Sequence, residues 1–185
     1  MRTIALLFLA AGVSGCADFW LANQQNPKPT LPPYDPAEYQ PYLQPGTGSI
    51  SGQAFLVTKS GDAKRAAGKA VTLDPLTRLA RAWWNGAKAY ERLEPRLPDD
   101  PRVLAARKTT TADADGKFLF EGLPAGDYLV RTTLQWQAQQ CIGYSGCGEQ
   151  SGVVGGPVHL NAGEKKTNVN FGADAVLLPE GTAHH

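Results

Sequence analysis

The sequence predicts a mainly β protein, a seven-stranded β-sandwich with one inserted helix. From residue 48 onward, short runs of alternating apolar residues are bounded by Gly, Pro, Asn or Asp, which is the pattern of strands and turns. The chain has 20 Gly and 14 Pro among 185 residues, a composition that suits strands joined by tight turns. Only one segment after residue 48 carries apolar residues at helical spacing. Seven short strands of this kind favour a sandwich.

The strands are predicted from period-two alternation, as at Phe118 and Phe120, which are expected to face the core. Turn residues separate them: Asp115-Gly116 supplies one hairpin turn, and residues 122–127 supply a second turn with Gly and Pro. The predicted strands cover residues 49–57, 69–73, 106–112, 117–121, 127–137, 153–160 and 166–173.

The inserted helix is predicted over residues 75–92. Asp74 is interpreted as its capping residue and Pro75 as its first helical position, a common helix start. Pro98 and Pro101 then predict an extended return to the third strand. The apolar residues at helical spacing are Leu76, Leu79, Ala80, Trp83, Ala87 and Tyr90.

Residues 1–15 are predicted to be a secretory signal, with a charged start and an apolar run of about ten residues, half the length that spans a membrane. Val13-Ser14-Gly15-Cys16 resembles the signal of a bacterial lipoprotein, which implies lipidation of Cys16. Ala17, where Asp would signal retention, implies sorting to the outer membrane, facing the periplasm, if the host has an outer membrane, which the sequence leaves open. The alternative is an ordinary cleaved signal followed by a free Cys.

Residues 16–47 are predicted to be a Pro-rich tether and residues 174–185 a C-terminal tail, with the domain at 48–173. The tether holds seven prolines, and Asp35-Pro36 predicts one helical turn. Its second half is more apolar than a tether needs, so packing against the domain is left open. The apolar residues concerned are Leu31, Tyr34, Tyr39, Tyr42 and Leu43.

Residues 111–130, Thr-Ala-Asp-Ala-Asp-Gly-Lys-Phe-Leu-Phe-Glu-Gly-Leu-Pro-Ala-Gly-Asp-Tyr-Leu-Val, resemble the signature of carboxypeptidase regulatory-like domains, which are transthyretin-like in fold. The segments around Gly48 and Val71 are similar to that family too, so the resemblance covers about residues 48–173. It implies a Greek-key β-sandwich that serves as a non-catalytic accessory module. Within it, Leu123 is expected to plug the end of the core and Tyr128 to anchor the corner by its hydroxyl.

No catalytic residue, metal ligand or cofactor is predicted. His159 is interpreted as solvent-facing, and Asp113 and Asp115 as turn residues that bond their own backbone rather than calcium. Cys141 and Cys147 are predicted to form a disulfide, because Cys16 is committed to lipid and the compartment is oxidising. An enzyme is therefore not expected.

The candidate binding surface lies on the inserted helix. Residues 76–108 hold eight basic and four acidic side chains, while the chain without residues 1–15 has 17 of each. This asymmetry predicts attraction to an anionic partner, but not to nucleic acid, which needs a strong overall basic excess. Trp83 and Trp84 either present an exposed aromatic shelf or pack the helix onto the sandwich. The candidate residues are Trp83, Trp84, Tyr90, Arg78, Arg81 and Lys88.

Two functions follow from these patterns. The first is a lipid-anchored, non-catalytic structural or adaptor module that binds a protein of the cell envelope. The alternative is a module that binds a glycan or a cell-wall polymer through the Trp- and Arg-rich insertion.

Overall fold

The computed structural model describes residues 31–57, 61–88, 101–137, 149–172 and 176–177. It confirms a mainly β fold of two sheets, with nine strands in this part of the chain. The two strands beyond the seven predicted are short, Ala63–Arg65 and Val176–Leu177. The strands are β1 Gly48–Val57, β2 Ala63–Arg65, β3 Ala70–Pro75, β4 Lys108–Thr111, β5 Lys117–Leu123, β6 Gly126–Gln137, β7 Glu149–Leu160, β8 Lys165–Phe171 and β9 Val176–Leu177.

One sheet has four strands and the other has five. In the four-stranded sheet, β1 pairs with β2 and β5 in antiparallel fashion and with β8 in parallel. The five-stranded sheet has the order β4-β3-β6-β7-β9, with every pair antiparallel. The longest pairing joins β6 to β7 over twelve residues, from Gly126 opposite Leu160 to Gln137 opposite Glu149.

The main core lies between the two sheets and follows the predicted alternation. Phe118 and Phe120 are each 4% exposed, while Leu119 between them is 49% exposed. The buried positions of β1, β3, β6 and β7 meet them from the other strands, among them Ile50 and Leu73. Alternate residues of a strand point to opposite faces, so a period of two in the sequence places every second residue in the core between the sheets.

The predicted corner and hairpin turn are confirmed. The hydroxyl of Tyr128 donates a hydrogen bond to the carbonyl of Pro124 at 2.7 Å, and Leu123 is fully buried. Asp113 Oδ1 accepts hydrogen bonds from the backbone N–H groups of Asp115 and Lys117, each at 2.9 Å. Gly116 in this turn has a φ of 79°, a conformation that side-chain-bearing residues rarely adopt.

Helical segments cover the outer face of the five-stranded sheet. They are α1 Pro36–Tyr39, a 3₁₀ turn Gln40–Leu43, α2 Arg78–Lys88 and α3 Pro101–Ala106. The predicted turn at Pro36 is confirmed, with Asp35 as its N-cap. In the part of the chain that the structure describes, no helix has the length and apolar character needed to cross a membrane.

Two predictions about the insertion are wrong at its ends. Asp74 does not cap a helix, because Asp74 and Pro75 belong to β3. Helix α2 begins only at Arg78. The hydroxyl of Thr77, just before it, accepts a hydrogen bond from the N–H of Ala80, as an N-cap residue does. The return is not extended after Pro101, because α3 begins at that proline, whose fixed φ suits the first helical position.

Candidate functional site

Trp83 and Trp84, the two tryptophans of the predicted binding surface, are both buried in the layer outside the five-stranded sheet. Their exposed fractions are 9% and 4%, and their ring centroids lie 6.3 Å apart. They pack with Leu129 of β6 and Val153 of β7, which point out of the sandwich toward α2. Of the two alternatives, the structure therefore places them in the packing of the helix, and the exposed shelf of both rings is not found.

A buried charge cluster lies beside Trp83. Asp74, 1% exposed, accepts from Arg107 Nε at 2.5 Å and from Arg131 Nε at 2.9 Å. The guanidinium of Arg131 also lies over the ring of Trp83, 5.2 Å from its centroid, in the range of a cation–π contact. Arg107 and Arg131 thus help to pack the inserted segment on the sheet.

Residues 31–43, here called the strap, pack on the same outer layer. Tyr39 is 1% exposed, belongs to the cluster of α2, and its hydroxyl lies 3.1 Å from the hydroxyl of Thr77. Tyr34 stacks on Tyr39 with ring centroids 4.7 Å apart. The apolar half of the segment predicted as a tether is therefore attached to the domain from residue 31 onward.

Acidic residues of the strap bind the start of α2. Glu38 Oε2 accepts from the backbone N–H of Arg78 at 2.7 Å, and Glu38 Oε1 accepts from Arg78 Nε. Asp35 Oδ2 accepts from Arg78 Nη2 at 2.8 Å. Bonding to Glu38 raises the pKa of Arg78 above its ordinary value. The strap thus satisfies a backbone donor at the helix start that the helix itself cannot satisfy.

A surface cavity of about 470 Å³, here called the strap groove, lies between the strap and the start of α2. The strap forms one wall and residues 76–81 form the other, with the corner between β5 and β6 at one end. These walls carry both apolar and charged side chains. The lining residues are Ala37, Glu38, Pro41, Tyr42, Leu76, Thr77, Arg78, Arg81 and Ala125.

Tyr42 fixes the strap to the corner at the end of the strap groove. Its hydroxyl donates to the carbonyl of Asp127 at 3.0 Å and accepts from the N–H of the same residue at 3.2 Å. Gly126 allows this approach, because a Cβ there would lie 2.7 Å from the Tyr42 ring. Burial raises the pKa of the Tyr42 hydroxyl.

The carboxylate of Asp127 lies 2.7 Å from Nδ1 of the exposed His159 and raises the pKa of that histidine.

The predicted site residues thus separate into three groups. Arg78 and Arg81 lie together on the strap groove, while Trp83 and Trp84 lie in the packed layer. Tyr90, the side chain of Lys88, Cys16, Cys141 and Cys147 lie outside the described residues, as do residues 1–15 and all of the predicted tail except residues 176–177, which form β9.

Neither the pairing of Arg78 with the acidic residues of the strap nor the burial of the Asp74 charge was predicted from the sequence. The apolar character of the strap was the available signal, because a segment with buried tyrosines must bring its neighbouring carboxylates to the same surface. For Asp74, the available signal was the alternation of the strand, which places Asp74 on the face opposite to the core residues Val71 and Leu73.

The fold has a counterpart among solved structures. The crystal structure of PA1324 from Pseudomonas aeruginosa, a "putative carbohydrate binding protein", matches with a TM-score of 0.64 and 27% sequence identity, covering 77% of this chain and 99% of that chain. The minor pilin GBS52 of Streptococcus agalactiae reaches a TM-score of 0.34 and 14% identity, covering 77% and 49% of the two chains. That score is too low to establish a shared fold. No protein-family model and no curated protein sequence matches the chain.

Proposed function

We propose that this protein is a non-catalytic carbohydrate-binding module of the cell envelope and that the strap groove is its binding site. The similar Pseudomonas aeruginosa protein, described as a "putative carbohydrate binding protein", supports the ligand class, since this chain covers 99% of it at 27% identity. The observation that carries the choice of site is the strap groove itself, where apolar and charged side chains meet in a cavity of about 470 Å³.

The chemistry of the strap groove suits a sugar. A pyranose has an apolar C–H face and a rim of hydroxyl groups, so its site needs both apolar contact and polar groups. Pro41, Leu76 and the ring of Tyr42 offer the apolar contact. Arg78 and Arg81 offer guanidinium donors beside it. Binding in this groove replaces the aromatic shelf as the glycan-binding interpretation, because both tryptophans are buried.

The absence of catalysis is part of the proposal. Among the described residues, Glu38 is the carboxylate that lines the strap groove, and Asp35 belongs to the same strap. The guanidinium of Arg78 holds both. A general base or nucleophile must instead reach a substrate atom. This pairing supports a structural role for the two acids, which hold Arg78 at the edge of the site.

The proposed binding site is tested by filling the strap groove. Ala125 and Ala114 are both exposed alanines in turns between strands, but only Ala125 lines the groove. We expect Ala125→Trp to weaken oligosaccharide binding by the full chain about tenfold, measured by titration calorimetry, and Ala114→Trp to leave it unchanged. A panel of neutral and acidic oligosaccharides supplies the ligands. Failure of every oligosaccharide to bind the unaltered chain, or equal binding by Ala125→Trp, contradicts the proposal.

Attachment to the envelope through lipidated Cys16 is a separate part of the proposal, supported by Val13-Ser14-Gly15-Cys16 behind an apolar run. Acyl chains on one residue contribute about 0.8 kcal/mol per buried methylene to membrane affinity. We therefore expect Cys16→Ser to move the protein from the membrane fraction to the soluble fraction, as measured by immunoblotting of the two fractions. Ala17→Ser is the control and is expected to stay in the membrane fraction. Unchanged fractionation of Cys16→Ser would mean that another element attaches the chain.

The adaptor role stays a prediction. No contact within the described ranges favours a protein partner over a glycan at the strap groove, and crosslinking in intact cells is the direct measurement of such a partner.

A further inference from the structure

We propose that the ligand of the strap groove is an anionic sugar, one that carries a carboxylate or phosphate group, and that Arg81 binds this group. The inference rests on the proposed carbohydrate-binding function and narrows its ligand class. Three features of the strap groove carry it: the bonded state of its carboxylates, the position of Arg81 on α2, and the bonding of Tyr42.

The two carboxylates of the strap, of which Glu38 lines the strap groove, are already bonded within the fold. Asp35 Oδ1 accepts from the N–H of Ala37 at 3.0 Å, and Asp35 Oδ2 accepts from Arg78. Both oxygens of Glu38 accept from Arg78, one from its backbone and one from its side chain. Each of these four oxygens therefore has a donor before any ligand arrives, and Arg78 is held by the same bonds.

Arg81 is the exception among these charges. It is exposed, it lines the strap groove, and it makes no ion pair within the described part of the chain. A guanidinium presents a planar set of donors that matches the two oxygens of a carboxylate or phosphate group. Among the described residues, the charged group that lines the strap groove without an ion partner is thus a cation, and its natural complement is an anion.

The position of Arg81 on the helix strengthens this argument. Arg78 and Arg81 both stand in the first turn of α2, which contains no acidic residue. Helix N-termini carry partial positive charge and favour anions, so cations there are unfavourably placed. Glu38 offsets the charge of Arg78 from the strap. A ligand anion beside Arg81 would offset the second charge in the same way.

Tyr42 indicates that the ligand also has an apolar face. Its hydroxyl donates to and accepts from Asp127, so both ordinary uses of that group are taken. The ring of Tyr42, with Pro41 and Leu76, leaves an apolar surface near Arg81. Uronic acids and sugar phosphates combine such an apolar face with an anionic group. A neutral sugar would leave Arg81 without an anionic partner.

The test compares anionic sugars with neutral counterparts of the same skeleton, using the full chain. One pair is tetragalacturonic acid and its carboxyl-reduced form, and the other is mannose 6-phosphate and mannose. We expect one anionic member to bind about tenfold more tightly than its neutral counterpart. The pair that discriminates identifies a carboxylate or a phosphate as the recognised group.

Two variants assign that preference to Arg81. Arg81→Gln is expected to weaken binding of the preferred anion about tenfold and to change binding of the neutral counterpart less than about twofold. Arg65→Gln, at an exposed arginine of β2 away from the strap groove, is the matched control and is expected to bind as the unaltered chain does. Thermal melting checks that both variants remain folded.

The outcomes separate this inference from the proposed function. Equal binding of anionic and neutral members in both pairs, with Ala125→Trp still weakening both, leaves the carbohydrate site in place and overturns the role of Arg81. An anion preference that survives Arg81→Gln also overturns it. Binding that is indifferent to Ala125→Trp instead overturns the site itself.

Discussion

Replacing Asp74 with asparagine lowers the free energy of unfolding by about 3–5 kcal/mol, the cost expected when one partner of a buried ion pair is removed. The Asp74 side chain is 1% exposed and binds two arginines that are themselves only 16% and 19% exposed. Its loss leaves the guanidinium groups of Arg107 and Arg131 without a counter-charge under the helical layer. Urea denaturation, followed by circular dichroism, measures the change.

The matched control is Asp115→Asn. Asp115 also pairs with a cation, Lys117 at 3.2 Å, but the two side chains are 56% and 61% exposed. Surface pairs of this kind contribute about 0–1 kcal/mol, so the control is expected to lose no more than that. Equal losses for the two variants would contradict the assignment of Asp74 as a buried centre of charge.

Truncating Trp84 to alanine costs about 3–5 kcal/mol of unfolding free energy, because the change removes a large buried side chain and leaves a cavity. Trp84 is 4% exposed and packs in the layer that joins α2 to the five-stranded sheet. The same denaturation experiment measures the loss, and glycan titration of the folded fraction reports whether the strap groove survives.

Leu104→Ala serves as the control for Trp84→Ala. Leu104 lies on α3 in the same helical layer but is 40% exposed, so its truncation is expected to cost less than about 1 kcal/mol. A loss of similar size for Trp84→Ala would mean that Trp84 faces solvent, and the aromatic-shelf alternative would then be favoured again.

Features that depend on neighbouring residues could be predicted from the sequence. Alternation placed Phe118 and Phe120 in the core, and the turn chemistry of Asp113 and Gly116 follows from bonds that span two to four residues. The corner at Tyr128 is equally local, since its hydroxyl reaches back four residues to Pro124. In each of these cases the partners lie within one short segment, so the pattern of residues carries the geometry.

Features that join distant segments could not be predicted. Asp74 and Arg131 are 57 residues apart, and Glu38 and Arg78 are 40 apart. Asp-Pro at residue 74 carries the same local signal as a helix start, and only the approach of Arg107 and Arg131 shows that this carboxylate is an ion-pair centre. The strap groove is likewise the product of two segments that the sequence presents as tether and insertion.

The attachment of the strap also determines how mechanical load enters the domain. A pull on the chain before residue 31 reaches the sandwich through Tyr39, Glu38 and Tyr42 before it reaches any strand. The strap forms one wall of the strap groove, so detachment of the strap would remove the proposed site while both sheets remain paired. A ligand that bridges the two walls would oppose this detachment. Tension and occupancy would then be linked, so that a bound ligand raises the force at which the strap detaches.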